Sequence, residues 1–120
     1  MDYTTYNLPE LAGVSPQTAI CVAGIPRGIV RIKDPLRNQI KFYLQAGKSF
    51  LQARTAELAM IDDISLCGIE AILKTASESN TNLKLSGIVY QSPEQSNVRI
   101  LDVLKIFFEG EEYSFENKLI

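Results

Sequence analysis

The chain has 120 residues, 46% of them hydrophobic, with 12 basic and 14 acidic side chains and a formal net charge of -2. That is enough for one domain with a modest core, and no apolar run approaches the length of a membrane span. Two cysteines, Cys21 and Cys67, and no histidine leave a structural zinc site short of ligands and a disulfide framework unexpected, so both cysteines read as buried thiols.

Residues 1–26 read as an N-terminal arm, with Pro9, Pro16 and polar turn residues ahead of a short apolar run, Ala19 to Ile25, closed by Pro26. The start, Met-Asp-Tyr-Thr-Thr-Tyr, has neither the positive charge nor the apolar stretch of a signal peptide, so the expected location is intracellular, cytoplasmic or nuclear.

Residues 27–54 dominate the charge distribution. They hold Arg27, Arg31, Lys33, Arg37, Lys41, Lys48 and Arg54 against Asp34, a surplus of +6, while residues 1–26 sum to -2 and 55–120 to -6. Such a surplus reads as an anion-binding surface. Ile29 to Ile32 are expected to form a first strand, followed by a first helix from about Pro35 to Gln52 with Asp34 as its cap. At 100° per residue, Arg37, Asn38, Lys41, Gln45, Lys48, Ser49 and Gln52 share one arc, opposite Leu36, Ile40, Tyr43, Leu44, Gly47, Phe50 and Leu51. Tyr43 and Phe50 then belong to the core; Phe42, near the seam, is the better candidate for stacking on bases, with core packing the first expectation for all three.

Thr55 to Ile61 read as a weak second strand. Asp62 and Asp63 open a second helix, to about Ser77, whose apolar residues predict deep burial. Two strands follow, Leu83 to Tyr90 and Val98 to Glu109, the last long enough for a hairpin arm, and an acidic tail runs from Gly110 to Ile120. No nucleophile with a base, metal cluster or phosphate-cradling glycine loop is evident, so neither enzyme activity nor a cofactor is expected. Asp62 and Asp63 are read as helix-capping residues rather than metal ligands.

This order of elements resembles the Alba family of small DNA- and RNA-binding proteins over about residues 28–109. Leu36-Arg37-Asn38-Gln39-Ile40 is similar to that family's Ile/Val-Arg-Asn-Tyr-Ile/Val start of helix 1, and Ala59, Met60, Ile64 and Ser65 agree with a second Alba pattern before helix 2. The resemblance implies an α+β, two-layer β-α-β-α-β-β fold with a C-terminal β-hairpin arm, over residues 27–109. It implies nucleic-acid binding without catalysis, by a subunit of a ribonucleoprotein or chromatin-type complex, with RNA preferred to DNA as partner. It also implies a homodimer, or a heterodimer with another Alba-like chain. The expected binding residues are Arg31, Lys33, Arg37, Asn38, Lys41 and Lys48, with no metal and no membrane contact. Asp62 and Asp63 stand where the family places phosphate contacts, which confines the expected surface to strand 1 and helix 1. A second resemblance, to the STAS interaction domain of anti-sigma antagonists, rests on Ser92-Pro93-Glu94 and makes residues 98–108 a helix where the Alba reading makes them a strand.

Overall fold

The computed structural model describes residues 1–34, 37–55, 60–95 and 97–119, the side chains of Asp34 and Arg37 excepted. Its strands are β1 (Thr4–Thr5), β2 (Thr18–Asp34), β3 (Arg37–Ala46), β4 (Ser49–Arg54), β5 (Leu83–Gln91), β6 (Arg99–Phe108) and β7 (Glu111–Ser114), with one helix, α1 (Asp63–Glu78), between β4 and β5. A 3-10 segment, Leu8–Gly13, precedes β2.

The strands close on themselves. β2 pairs antiparallel with β3, β3 with β4, β4 runs parallel to β6, β6 pairs with β5, and β5 returns to β2. The 17 residues of β2 make this closure possible, because Thr18 to Gly24 bond to β5 while Ile25 to Asp34 bond to β3. Gly24 stands where the strand passes between the two partners, and a side-chain carbon there would lie 2.7 Å from the Gln45 carbonyl oxygen. Gly87 permits a still closer approach of β5 to β6, since a Cβ would sit 2.0 Å from the Asp102 carbonyl oxygen. Inward residues of all five strands, among them Ile20, Ile40, Leu44, Leu85, Leu101 and Ile106, fill the barrel. Leu66, Ile69, Leu73 and Ala76, one 3.6-period stripe of α1, are buried in the same core.

The expected Alba-like two-layer fold is therefore corrected to a closed barrel with, among the described residues, one α-helix. The segment read as helix 1 is a β-hairpin, β3–β4, turning at Gly47, whose φ of +59° suits the glycine position of a type II′ turn. Ile40, Phe42 and Leu44 point inward and Lys41, Tyr43 and Gln45 outward, a period of 2 rather than 3.6. The expected cap at Asp34 and Pro35 involves features outside the described residues, as does most of the expected second strand, at 56–59. The helix expected from residue 62 is α1, with Asp62 Oδ1 accepting from the Ser65 backbone N–H at 2.7 Å. Residues 99–108 are a strand, against the STAS reading. Residues 18–26 of the expected arm form the first half of β2. In the expected acidic tail, β7 pairs with β6 and Phe115 is buried. Cys21 is buried but Cys67 is exposed, its Sγ 3.6 Å from Arg31 Nη1.

Candidate functional site

Strand periodicity sorts the cations of residues 27–54 into separate places. Arg31 faces Ile40 across the β2–β3 ladder, and directly opposed residues share a side, so Arg31 points with the buried Ile40 toward the barrel end that α1 covers. There its guanidinium meets Asp63 Oδ1 at 2.5 Å and Glu70 Oε1 at 3.8 Å. Asn38, sharing this side, donates to Asp63 at 3.1 Å and accepts from Arg31 Nε at 3.1 Å. Lys33 reaches the same carboxylate at 3.5 Å. The Asn38 hydrogen bond first, then Lys33 and Arg31, hold the Asp63 carboxyl below its ordinary pKa. Arg27 donates to the Ser77 carbonyl at 3.0 Å and to Asn80 at 2.5 Å, satisfying the C-terminal end of α1. These cations join helix to barrel.

The opposite side of the hairpin is different. Lys41, Tyr43 and Gln45 on β3 face outward beside Arg54, Gln52 and Phe50 on β4, in that cross-strand order. Tyr43 is 46% exposed and Phe50 59%, against the core packing expected of them, whereas Phe42, 2% exposed, is in the core as expected and closed to stacking. Lys41 and, at the turn, Lys48 are exposed and make no ion pair among the described residues. Arg54 is held by Asp102, with Nε 2.5 Å from Oδ1, and Asp102 is 2% exposed.

Two open clefts share this face and meet at Tyr43 and Gln52. One, of about 280 Å³, is lined by Gly28, Val30, Lys41, Arg54 and Ile100 as well. The other, of about 410 Å³, lies between the 3-10 segment, the hairpin residues Ser49 to Gln52, and Asn97 to Arg99. The result is a trough lined by two aromatic side chains, with Lys41 along one cleft, amide and hydroxyl groups between, and Lys48 at the hairpin turn beside Ser49. Ring faces suit flat conjugated ligands, and mobile ammonium groups suit an anionic chain that passes them.

Of the expected binding residues, then, Lys41 lines the trough and Lys48 lies at the hairpin turn next to it, while Arg31, Lys33 and Asn38 gather around Asp63. The side chain of Arg37 is outside the described residues. Tyr43, Phe50 and Gln52 join the site without having been singled out for it. Among the described residues no three acidic, cysteine or histidine side chains cluster closely enough to hold a metal ion, and no helix is long and apolar enough to cross a membrane.

No family model matches the chain, and no curated protein matches it in sequence. Solved structures do resemble it in shape. RecG bound to a three-way DNA junction matches over 97% of this chain with a TM-score of 0.63 and 14% identity, over 13% of its own length. A Leishmania major protein assigned as an aspartyl-tRNA synthetase matches over 87% of this chain, with a TM-score of 0.57 and 14% identity, over 20% of its length. The asparaginyl-tRNA synthetase of Pyrococcus horikoshii matches over 96%, with a TM-score of 0.53 and 11% identity, over 23% of its length. The chain thus spans less than a quarter of each of these proteins. At such identities the likeness is one of fold, and the strand order identifies it as the OB-fold, a five-stranded Greek-key barrel.

Proposed function

We propose that this barrel binds nucleic acid, without catalysis, through the outward face of β3 and β4. The observation that carries the proposal is the coincidence of exposed Tyr43 and Phe50 on that face with Lys41 beside them and Lys48 at the turn, neither lysine making an ion pair among the described residues. Aromatic platforms flanked by cations take bases and phosphates together, and the corresponding two strands carry oligonucleotides and oligosaccharides in other OB-folds. The fold likeness to a protein held on a DNA junction supports the same reading. Flat bases and phosphates are common to RNA and DNA, so the face accepts either sugar. The preference for RNA and the pairing with another Alba-like chain rested on the Alba architecture and form no part of the proposal.

The contacts assigned to strand 1 and helix 1 move accordingly. Lys41 and Lys48 keep the role expected of them, and Arg31, Lys33 and Asn38 hold α1 in place. Nuclear magnetic resonance provides the test: adding a short oligothymidylate to labelled protein is expected to shift the amides of Lys41 to Gln45 and Ser49 to Arg54. Those of Asp63 to Glu70 are expected to stay in place. Shifts centred on the start of α1, or none at millimolar oligonucleotide, would overturn the proposal.

A further inference from the structure

Resting on the nucleic-acid reading above, we infer that the larger cleft receives a single unpaired nucleobase stacked on Phe50, making the protein selective for single strands over duplex. What distinguishes this cleft is its third wall. It comes from the 3-10 segment Leu8–Gly13, which precedes the five barrel strands and lines the same cleft as Phe50.

That wall is fixed before any ligand arrives. Leu8, Leu11 and Val14 are all buried in the barrel core. Arg99 Nε donates to the Val14 carbonyl at 3.2 Å, and the Gln17 backbone N–H donates to the Val89 carbonyl at 2.7 Å. Pro9 and Ala12 thereby face the hairpin at a set spacing, and a ligand entering between them and Phe50 has little protein to order. The volume of about 410 Å³ lies within the range of small-ligand clefts, roughly 300–1,000 Å³.

The lining chemistry selects a base. Phe50 lines the cleft together with Ser49, Gln52 and Asn97, residues that carry a hydroxyl and two amides, groups that both donate to and accept from a heterocycle's edge. Lys48 follows the Gly47 turn directly beside Ser49, where it meets the phosphate of the strand that delivers the base. A base within a duplex is stacked on both faces and shows only its groove edges, so it cannot lie on Phe50 between two walls.

The chain contains no tryptophan, which makes Phe50→Trp a single fluorescent probe of the stack. Its emission is expected to be quenched by an eight-nucleotide oligothymidylate and unchanged by a blunt duplex of the same length. Phe50→Ala, at a position 59% exposed and therefore compatible with folding, is expected to weaken oligothymidylate binding roughly tenfold and to change duplex binding less than twofold. Ala12→Leu fills the cleft from the facing wall and is expected to reproduce that loss with Phe50 intact. If Phe50→Trp binds oligothymidylate without quenching, or Phe50→Ala and Ala12→Leu weaken neither ligand or both equally, the base pocket is overturned. Sensitivity to Lys41→Glu would then still uphold nucleic-acid binding. Wild-type protein that binds neither ligand would overturn both.

Discussion

Asp63 is the hub of the described ion pairs at the start of α1. It accepts from Asn38 and Arg31 and attracts Lys33, and its pKa is lowered chiefly by the Asn38 hydrogen bond. Asp62 is lowered as well, first by the Ser65 backbone N–H it caps, with Lys118 adding to the effect. Glu116 is lowered chiefly by the Tyr3 hydroxyl, which donates to it, and Lys105 adds to this. All three carboxyls have folded pKa values below their unfolded ones of about 3.9 to 4.3, so the stability they contribute is present above that range and lost as pH falls through the folded values. Thermal unfolding followed by circular dichroism should therefore show a midpoint that falls below about pH 4. Asp62→Asn with Asp63→Asn should flatten that acid limb; an unchanged slope would mean these contacts do not persist in solution. Tyr3 moves the other way, raised first by burial and then by Glu116, so its contribution is complete below about pH 10 and declines as pH rises through its folded value.

The β3–β4 hairpin shows why a short amphipathic segment is ambiguous. Ile40, Leu44 and Leu51 are inward under either period, so they cannot choose between helix and strand. Phe42 and Ala53 are buried only if the chain is extended, and Tyr43 and Phe50 only if it is helical, which leaves the pattern evenly divided. Gly47 breaks the tie: within a helix it is a weakness, but at the centre of Ala46 to Ser49 it supplies the positive φ a tight hairpin needs. The α1 element was legible because a capping aspartate and the stripe Leu66, Ile69, Leu73 and Ala76 agree. Gly47→Val forces a β-branched residue to φ +59° and is expected to lower unfolding free energy by about 1–3 kcal/mol in urea titration. A loss below a few tenths of a kcal/mol would show that the turn is not held in this conformation. Lys41 and Lys48 were legible as candidate contacts from charge alone. Their separation from Arg31 and Lys33 was not, because it follows from strand alternation, and neither was the Arg54–Asp102 pair, which joins residues 48 apart in sequence.

At the scale of the whole molecule, the basic surplus of residues 27–54 and the acidic surplus of 55–120 meet in part inside one structure. Arg31 and Lys33 are paired with α1 and Arg54 with β6, so three of the seven cations that suggested a polyanion site instead hold the barrel to its own later half. What remains outward is a small cationic and aromatic trough. With two phosphate contacts, the slope of log affinity against log salt for a single strand is about -1.4, at about -0.7 per contact. The binding is thus expected to be carried in good part by stacking, and the acidic remainder of the surface disfavours contact elsewhere. The most direct test is to compare Lys41→Glu with Lys33→Glu for oligothymidylate binding by fluorescence anisotropy at 0.15 M salt, where the screening length is about 8 Å. Lys41→Glu is predicted to weaken binding roughly tenfold, with Lys33→Glu within twofold of wild type; equal losses, or a loss confined to Lys33→Glu, would contradict the assignment of the binding face to β3 and β4.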